Sequence, residues 1–215
     1  MIQDFSKTNS LFNDFLAEIR DENIQKDRMR FRRNLERIAE IMAYELSKGL
    51  KFSKKEVTTP LGAATVNTSD DQIVLATILR AGLPMHQGFL NYFDKADAAY
   101  VSAFRKHTSD EDYDIEVEYL AAPSIEGKVL ILCDPMLATG RSMMAAYKEL
   151  KKNGTPKTVH IVSAIATEEA LTLLQNKLPS ATKIWVGAVD EELTAQSYIV
   201  PGIGDAGDLA FGDKL

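Results

Sequence analysis

Short apolar runs alternate with helical patterns along most of the chain, and this alternation constrains the fold more than any other feature of the sequence. The runs are rich in Ile, Val and Leu and lie at residues 72–79, 98–104, 128–133, 158–166 and 183–189. Helical patterns separate them at residues 84–93, 142–152 and 168–177. Short apolar runs of this composition indicate buried parallel strands. Because helical crossovers join parallel strands with right-handed geometry, we predict an α/β fold with a doubly wound, mostly parallel sheet.

The first 50 residues follow a helical pattern instead. Apolar residues recur at three-to-four spacing from Leu11 to Ile19 and again from Leu35 to Leu46, which predicts two helices in an N-terminal arm, residues 1–50. A basic run lies between these patterns and contains Arg28, Arg30, Arg32 and Arg33. We interpret the run as a solvated or dimer-facing helix surface, with a phosphate or effector site as the alternative.

Two further segments are predicted to be extended or looped. Residues 62–66 resemble a strand and residues 67–71 carry turn signals, so we expect hairpin material there. The polar stretch from His107 to Glu118 predicts a mobile loop or a two-stranded flap at about residues 105–120. Loops of this kind often close over reactive substrates.

The length and the distribution of apolar residues bound the architecture and the location. With 215 residues the chain can bury one substantial core, and we expect a single domain over residues 1–215. No run approaches the roughly twenty apolar residues of a membrane span. The start, MIQDFSKTNS, lacks the basic and then apolar layout of a signal peptide. We therefore expect no membrane association and a cytoplasmic location.

Charge and cysteine content exclude several classes of function. The net charge of -6 argues against a protein that coats nucleic acid, because binding to a phosphate backbone requires clustered positive charge. A negative net charge is still compatible with a local basic pocket that binds a small anionic ligand. The single cysteine, Cys133, excludes an intrachain disulfide and a cysteine-based metal cluster within one chain. Cys133 ends an apolar run, so we expect it to pack in the core.

The segment with the strongest chemical content follows the apolar run that ends at Cys133. It begins with Asp134, passes through a loop with hydroxyl residues and a glycine, and leads into a helical pattern. Backbone N–H groups and a helix N-terminus that converge on one point form a phosphate cradle, to which Thr139 and Ser142 add donors. Gly140 permits close approach of the backbone, and Asp134 can accept hydrogen bonds from ribose hydroxyls. The alternative is an ordinary turn in which Asp134 and Thr139 cap the helix.

Three segments carry a resemblance to a known family. The sequence DPMLATGRS, residues 134–142, resembles the 5-phosphoribosyl diphosphate motif of type I phosphoribosyltransferases, in the form of the uracil-specific branch. The sequence YIVPGIGDAGD, residues 198–208, is similar to the uracil-binding segment of that branch, and ILRAGL, residues 78–83, is a third match. With the region around Arg32 and the ending at residues 212–214, the resemblance spans nearly the whole chain.

The resemblance implies a fold, an activity and a set of site residues. The fold is that of type I phosphoribosyltransferases, and the activity converts uracil and 5-phosphoribosyl diphosphate to uridine monophosphate and diphosphate in pyrimidine salvage. The implied catalytic residues are Arg80, Arg105, Asp134 and Asp205. The arginines match family residues that bind diphosphate, a role suited to the donor fork of a guanidinium. Further contacts to 5-phosphoribosyl diphosphate are implied for Pro135, Met136, Leu137, Ala138, Thr139, Gly140, Arg141 and Ser142.

The tail, about residues 190–215, is expected to recognise the base. Uracil presents donors and acceptors that backbone groups can match, and the resemblance assigns contacts to Ile199, Gly204, Asp205 and Ala206. Asp205 is also expected to face the diphosphate and Mg²⁺, which is the implied cofactor. Phosphate oxygens and waters usually hold this ion, so we expect no dedicated metal cluster. The family also implies at least a homodimer and a possible GTP effector.

Three positions depart from the family pattern. Arg141 stands where a second glycine is common, Thr167 begins a Thr-Glu-Glu sequence that replaces a common Pro-Glu-Gly, and Leu209 stands where a basic residue is frequent. These departures bear on affinity or regulation more than on the reaction.

Two other interpretations stay open. The first is a phosphoribosyltransferase for another base, such as a purine, against which the 198–208 segment argues. The second is a regulatory protein of the same fold that binds nucleotides and messenger RNA, which the acidic net charge disfavours. A catalytically silent relative is disfavoured because the four implied catalytic residues are all present.

Overall fold

A computed structural model describes residues 1–107 and 113–214, and the side chains of residues 103–116 lie outside that description. The helices of four residues or more are α1 (Leu11–Arg20), α2 (Arg28–Ser47), α3 (Leu83–Leu90), α4 (Arg141–Leu150), α5 (Glu168–Lys177) and α6 (Ala206–Phe211). The strands are β1 (Ile2–Asp4), β2 (Phe52–Thr59), β3 (Gly62–Ser69), β4 (Ile73–Leu79), β5 (Asp97–His107), β6 (Tyr113–Ala121), β7 (Val129–Cys133), β8 (Met136–Leu137), β9 (Thr158–Thr167), β10 (Lys183–Asp190), β11 (Glu192–Leu193) and β12 (Ile199–Val200).

One large sheet organises the described chain. Its strand order is β1, β10, β9, β7, β4, β5 and β6, and β8 pairs with β9 just after β7 ends. The β5–β6 pair is antiparallel, whereas every other pair in this sheet is parallel. All five apolar runs of the sequence lie in this sheet, so the predicted α/β class with a mostly parallel sheet is confirmed.

Each face of the sheet is covered by its own apolar core, because successive strand residues point to opposite faces. On one face, Leu75 belongs to a cluster that includes Leu35 of the N-terminal arm. On the other face, Val74 belongs to a cluster that includes Met143 of α4 and Leu171 of α5. Helices therefore cover both faces, which confirms the predicted doubly wound arrangement.

The N-terminal arm contains the two predicted helices, and side-chain caps set where they begin. The Ser10 hydroxyl accepts a hydrogen bond from the Phe12 N–H at 3.2 Å, and Asp27 accepts one from the Arg30 N–H at 3.1 Å. These caps satisfy N–H groups that lack partners in the first helical turn. Arg30 also pairs with Glu18, so α1 and α2 are joined across their exposed edge.

The hairpin of β2 and β3 differs from the prediction at residues 67–71. The strands pair from Phe52 opposite Ser69 to Thr59 opposite Gly62, so the turn lies at residues 60–61 and β3 continues through Ser69. Turn-forming residue types at 67–69 misled the prediction. Because both faces of this pair are largely exposed, polar residues are tolerated along the whole strand and leave no apolar alternation.

The predicted flap is represented by β5 and β6. These strands pair in antiparallel register from Tyr100 opposite Ala121 to His107 opposite Tyr113, with an irregularity between Ser102 and Ala103. The strand pairing agrees with the two-stranded alternative of the prediction. The tip, residues 108–112, lies outside the described residues, so the mobility of the flap stays a prediction. Within the described chain, none of the helices is long and apolar enough to cross a bilayer.

Candidate active site

An open cleft of about 440 Å³ lies at the carboxyl edge of the parallel strands. Three segments that are distant in sequence line it: the turn after β4, the loop between β7 and α4, and the C-terminal segment around β12 and α6. Ligands of doubly wound sheets bind at this edge, because helix N-termini and strand-end loops converge there. The cleft is therefore the candidate active site.

The loop between β7 and α4 is fastened to the neighbouring strand β9. The Asp134 N–H donates to the Val162 carbonyl at 3.1 Å, and the Ile165 N–H donates to the Pro135 carbonyl at 3.0 Å. These bonds extend the sheet into the loop. As a result, the predicted phosphate cradle is held by the core of the fold and does not depend on a ligand for its position.

Gly140 gives the loop its entry into α4. It is the N-cap of that helix with φ +74°, a left-handed conformation that residues with a Cβ rarely adopt. An added Cβ would lie 3.3 Å from the Ala170 carbonyl oxygen of α5. The Thr139 hydroxyl accepts a hydrogen bond from the Arg141 N–H at 3.4 Å. The backbone at Gly140 is thus open to the cleft on one side and packed against α5 on the other.

Thr167 connects the same loop to α5. Its side chain is 1 % exposed, and its hydroxyl donates to the Ala138 carbonyl at 2.6 Å and accepts from the Ala170 N–H at 3.1 Å. One hydroxyl therefore caps α5 and anchors the loop. Thr167, one of the departures from the family pattern, thus anchors the loop through Ala138, a role that its sequence context does not reveal.

Asp134 is a carboxyl group with an unusual environment. Its pKa is raised to about 7, mainly by burial and also by the negative charge of Asp205, while a hydrogen bond from the Met136 N–H opposes the rise. Asp134 and Asp205 both line the cleft. A carboxyl group that titrates near neutrality in a cleft is a candidate functional group, because its charge responds to whatever ligand binds beside it.

Arg80 lies in the turn after β4, where close backbone packing requires a glycine nearby. A Cβ on Gly82 would lie 2.1 Å from the Thr77 hydroxyl and 2.8 Å from the Ile78 carbonyl. The Arg80 Nη2 atom donates to the Gly212 carbonyl at 2.9 Å and to Asp208 at 3.2 Å. Its Nε atom is buried and has no hydrogen-bond partner among the described residues. Arg80 lines the cleft and its side chain is 38 % exposed, so its guanidinium is accessible to a ligand there.

The C-terminal segment forms the opposite wall. Asp205 caps α6 by accepting hydrogen bonds from the N–H groups of Gly207 at 2.9 Å and Asp208 at 3.0 Å. Gly202 and Gly204 have φ values of +58° and +80°. A Cβ on Gly202 would lie 2.1 Å from the Ile199 carbonyl, so this turn requires glycine. The tight turns place backbone groups beside the cleft.

The structure brings most of the predicted site residues together. Those that line the cleft are Arg80, Asp134, Met136, Leu137, Ala138, Thr139, Gly140, Ser142, Ile199 and Asp205. Within the described part of the chain, the predicted residues that do not line it are Pro135, Arg141, Gly204 and Ala206. Pro135 and Ala206 are buried, whereas Arg141 and Gly204 are exposed. The Arg105 side chain lies outside the described residues, so its role stays a prediction.

Sequence reasoning missed several residues of the site. Ser197, Tyr198, Gly207 and Lys214 also line the cleft, although none of them was assigned a contact; all but Ser197 lie in segments that carry the family resemblance. Asp190, the last residue of β10, is 6 % exposed and pairs with Arg20, a contact that the sequence does not predict. Acidic residues at a strand end look the same in sequence whether solvated or paired. Cys133 is buried as predicted, and burial raises its thiol pKa to about 12.

The acidic groups of the cleft fit a phosphate-bound divalent cation better than a protein-held one. Among the described residues, no group of three or more His, Cys, Asp or Glu side chains is placed to hold a metal ion. Asp134 and Asp205 nevertheless bring two carboxylates to one cleft. Mg²⁺ prefers oxygen ligands and usually keeps waters and substrate phosphates around it, so a site with few protein carboxylates suits it.

Comparisons with known proteins agree with this geometry. The family described as "Uracil phosphoribosyltransferase" matches residues 6–213. A uracil phosphoribosyltransferase from Porphyromonas gingivalis is 55% identical over 207 residues, which cover 96% of this chain and 96% of that protein. One from Pyrococcus furiosus is 36% identical and covers 94% of this chain and 86% of its own length. A solved structure of a protein from Aquifex aeolicus has a TM-score of 0.88 at 31% identity, with 99% and 98% of the two chains covered. The chain belongs to the uracil phosphoribosyltransferase family.

Proposed function

We propose that this protein transfers the 5-phosphoribosyl group of 5-phosphoribosyl diphosphate to uracil, which yields uridine monophosphate and diphosphate. One observation carries the proposal: a single cleft joins the β7–α4 loop with its hydroxyl groups, a half-buried carboxyl group and a C-terminal wall that includes Ile199 and Gly207. The loop suits the sugar phosphate, the carboxyl group suits the ribose, and the wall suits a flat base. Membership of the family supports the same assignment.

The sugar substrate would be bound by the loop between β7 and α4. Backbone N–H groups around Gly140 and the hydroxyls of Thr139 and Ser142 are donors for the 5-phosphate at the start of α4. Asp134 accepts hydrogen bonds from the ribose hydroxyls when it is ionised. Arg80 lines the cleft at the neighbouring strand end, where its guanidinium is placed to bind the diphosphate.

Uracil would be bound by backbone groups of the C-terminal segment. The proposed contacts are Ile199, Gly204 and Ala206, with Asp205 at the boundary between the two substrates. Ile199 and Asp205 line the cleft, and the tight turns at Gly202 and Gly204 keep side chains away from a flat ring. Backbone donors and acceptors distinguish uracil from cytosine because the exocyclic group at ring position 4 changes from an acceptor to a donor.

The chemical step is a displacement at the anomeric carbon of the ribose. Uracil N1 forms the new bond on one face and loses its proton, while the bond to diphosphate breaks on the other face through a transition state with oxocarbenium character. Positioning of the two substrates and stabilisation of the leaving charge carry the catalysis. Arg80 and Arg105 are the proposed cationic groups, and no covalent nucleophile is required.

Mg²⁺ is the proposed cofactor, with Asp205 as the residue that would face it. When bound through the substrate's oxygens, the ion would neutralise charge on the diphosphate. Asp134 and Asp205 would then lie near positive charge, which lowers the pKa of a carboxyl group. The raised pKa of Asp134 therefore has a direct reason to fall on substrate binding.

Oligomerisation, regulation and location complete the proposal. The β2–β3 hairpin is exposed on both faces, and Leu61 at its tip is fully exposed, which supports a homodimer in which a second copy covers it. GTP is a proposed effector on the strength of the family resemblance alone, and the proposed location is the cytoplasm. Light scattering tests the homodimer, and activity assays with and without GTP test the effector.

The experiment that tests the function is product formation with a panel of bases. Purified protein is supplied with 5-phosphoribosyl diphosphate, Mg²⁺ and uracil, cytosine, hypoxanthine, adenine or orotate. We expect uridine monophosphate from uracil and no nucleotide from the others, with the product lost in Asp134→Asn and Asp205→Ala. Product from a purine would reassign the base. No product from any base, together with a salt-dependent RNA shift, would favour the regulatory interpretation.

A further inference from the structure

A small hairpin forms one rim of the cleft and depends on contacts at its base. In this hairpin, residues 190–202, β11 pairs with β12 through Glu192 opposite Val200 and Leu193 opposite Ile199. Ser197, Tyr198 and Ile199 line the cleft. Two strands of two residues each cannot hold a stable position by themselves. Whatever holds the two ends of the hairpin therefore sets where its cleft-lining residues lie.

Asp190 and Arg20 hold those two ends together. Arg20, the last residue of α1, donates from Nη2 to one Asp190 oxygen at 2.8 Å and from Nη1 to the other at 2.9 Å. The same Nη1 donates to the Gly202 carbonyl at 2.9 Å, and Asp190 accepts from the Gly202 N–H at 2.9 Å. Both backbone groups of Gly202 are thus bound by one ion pair, which also ties the hairpin to the N-terminal arm.

The position of Gly202 makes this contact relevant to the base. Three residues before it in sequence lies Ile199, and two residues after it lies Gly204, both proposed contacts of uracil. The turn at Gly202 packs directly on the Ile199 carbonyl, since a Cβ there would lie 2.1 Å from that oxygen. A shift of Gly202 is therefore transmitted to the Ile199 backbone. Gln25 extends the contact, because its side chain donates to the Arg20 carbonyl at 3.1 Å.

We propose that Arg20 and Asp190 are positioning residues for uracil, acting through the backbone of Gly202. This inference rests on the proposed function, because it takes the wall around Ile199 and Gly204 as the base site. Neither residue of the ion pair lines the cleft. Its bidentate geometry fixes the orientation of the hairpin base, and its burial at Asp190 makes that geometry strong and specific. Loss of the pair lowers uracil affinity and leaves the sugar phosphate loop in place.

Steady-state kinetics of two arginine variants test the proposal. In Arg20→Gln we expect the KM for uracil to rise about tenfold while the KM for 5-phosphoribosyl diphosphate stays within about twofold, because positioning errors act on the substrate whose site moves. Arg20→Lys keeps the charge but loses the fork, so we expect an intermediate rise. Equal changes in both KM values would mean a general loss of structure and would overturn the proposal.

Arg30 supplies a matched control. It forms a two-bond pair with Glu18 on the same helical arm instead of with Asp190, and its side chain is more exposed than that of Arg20. Arg30→Gln therefore removes an arginine–carboxylate pair from the arm without touching the hairpin. We expect both KM values to match the wild type. If Arg30→Gln raises the uracil KM as much as Arg20→Gln does, the effect belongs to the arm as a whole and the inference is wrong.

Hydrogen–deuterium exchange tests the same inference without reference to activity. Arg20→Gln is expected to speed exchange at residues 192–204 relative to the wild type, whereas the β7–α4 loop keeps its protection. Unchanged protection of residues 192–204 would overturn the inference even if the enzyme is fully active. A different outcome is that exchange is faster in Arg20→Gln but the wild type forms no product from uracil. That outcome would support the role of the ion pair in positioning the hairpin and would refute the proposed function.

Discussion

The Arg80 guanidinium lies 3.2 Å from the Asp208 carboxylate, although 128 positions separate the two residues in sequence. This contact joins the two substrate regions, because Arg80 follows β4 at the proposed diphosphate site and Asp208 lies in the first turn of α6 at the C-terminal wall. Nη2 is occupied by Asp208 and by the Gly212 carbonyl, while Nε has no partner among the described residues. Asp208 and the Gly212 carbonyl therefore fix the orientation of the Arg80 guanidinium at the cleft.

Asp208→Asn is expected to weaken binding of 5-phosphoribosyl diphosphate. The variant removes the charge that orients Arg80, and because the pair is partly exposed we expect a modest rise in KM, about threefold. Asp213→Asn makes the same change in net charge at an exposed position nearby and should have no effect. Initial-rate kinetics at varied 5-phosphoribosyl diphosphate measure both. A rise of equal size in the two variants would point to net charge alone.

The raised pKa of Asp134 predicts that binding of 5-phosphoribosyl diphosphate improves as pH rises through about 7. Below that pH the carboxyl group is protonated and loses much of its strength as an acceptor for ribose hydroxyls. Calorimetric titrations of the wild type between pH 6 and 8 measure the affinity. Asp134→Asn should bind 5-phosphoribosyl diphosphate weakly. Because asparagine does not titrate, the affinity of this variant should depend less steeply on pH. Parallel profiles for the two proteins would contradict the assignment.

The same pKa predicts a cost in stability. The folded-state pKa of Asp134, about 7, lies above the ordinary value of 3.8, so between these pH values the folded protein holds a proton that the unfolded chain has released. Stability contributed by this group therefore falls as pH rises through that window and levels off above it. We expect Asp134→Asn to raise the melting temperature more at pH 8 than at pH 5. Thermal denaturation at both pH values tests this, and a gain independent of pH would contradict it.

Thr167→Val is expected to affect both the stability of the fold and binding at the loop. The substitution leaves the Ala138 carbonyl and the Ala170 N–H without the hydroxyl that serves both, which costs about 1–3 kcal/mol for a buried site. Because Ala138 lines the cleft, the KM for 5-phosphoribosyl diphosphate should rise as well. Thr167→Ser keeps the hydroxyl and should restore both.

Ser10→Ala serves as the control for Thr167→Val. Ser10 caps α1 by accepting from the Phe12 N–H, and it lies outside the cleft. Its loss should lower the melting temperature while both KM values stay unchanged. If Thr167→Val changes only stability, as Ser10→Ala does, the hydroxyl does not position the loop.

Gly82→Ala is expected to damage the turn that carries Arg80. Its Cβ would lie 2.1 Å from the Thr77 hydroxyl, 2.8 Å from the Ile78 carbonyl and 3.1 Å from the Cys133 carbonyl, so the backbone of two strands must move. We expect a large loss of melting temperature or of soluble protein. At Gly49 an added Cβ meets the end of the flexible Lys183 side chain at 3.0 Å and the Leu46 carbonyl at an ordinary contact distance of 3.5 Å, so Gly49→Ala should be tolerated. Similar stability of the two variants would refute the packing argument.

Much of the fold could be predicted because local chemistry marks it. The apolar runs that became β4, β7 and β9 are buried on both faces, so nearly every residue had to be apolar, and the pattern is visible without any partner. The β2–β3 hairpin has the opposite character. Its exposed residues are free to be polar, so no apolar alternation marks β3. Turn-forming residue types at 67–69 therefore led to a predicted turn where the strand continues.

The candidate site divides in the same way. The loop from Asp134 to Ser142 could be predicted because its acid, hydroxyls and glycine are contiguous, and each serves the chemistry through local backbone geometry. The contact between Arg20 and Asp190 could not be predicted, because 170 positions separate the two residues and each one alone resembles an ordinary surface charge. Thr167 is similar: its sequence context shows a helix cap but not the carbonyl of Ala138 that it reaches.

The sequence by itself determined the class of fold, the order of strands and helices, and the residues that can cradle a phosphate, because burial and backbone conformation restrict residue type at each of those positions. Only the tertiary structure decided which charged groups meet. Ion pairs such as Arg20–Asp190 and Arg80–Asp208 depend on the crossing of distant elements. The chain carries many acids and bases of equal pairing capacity, and only the packing of helices on the sheet selects among them.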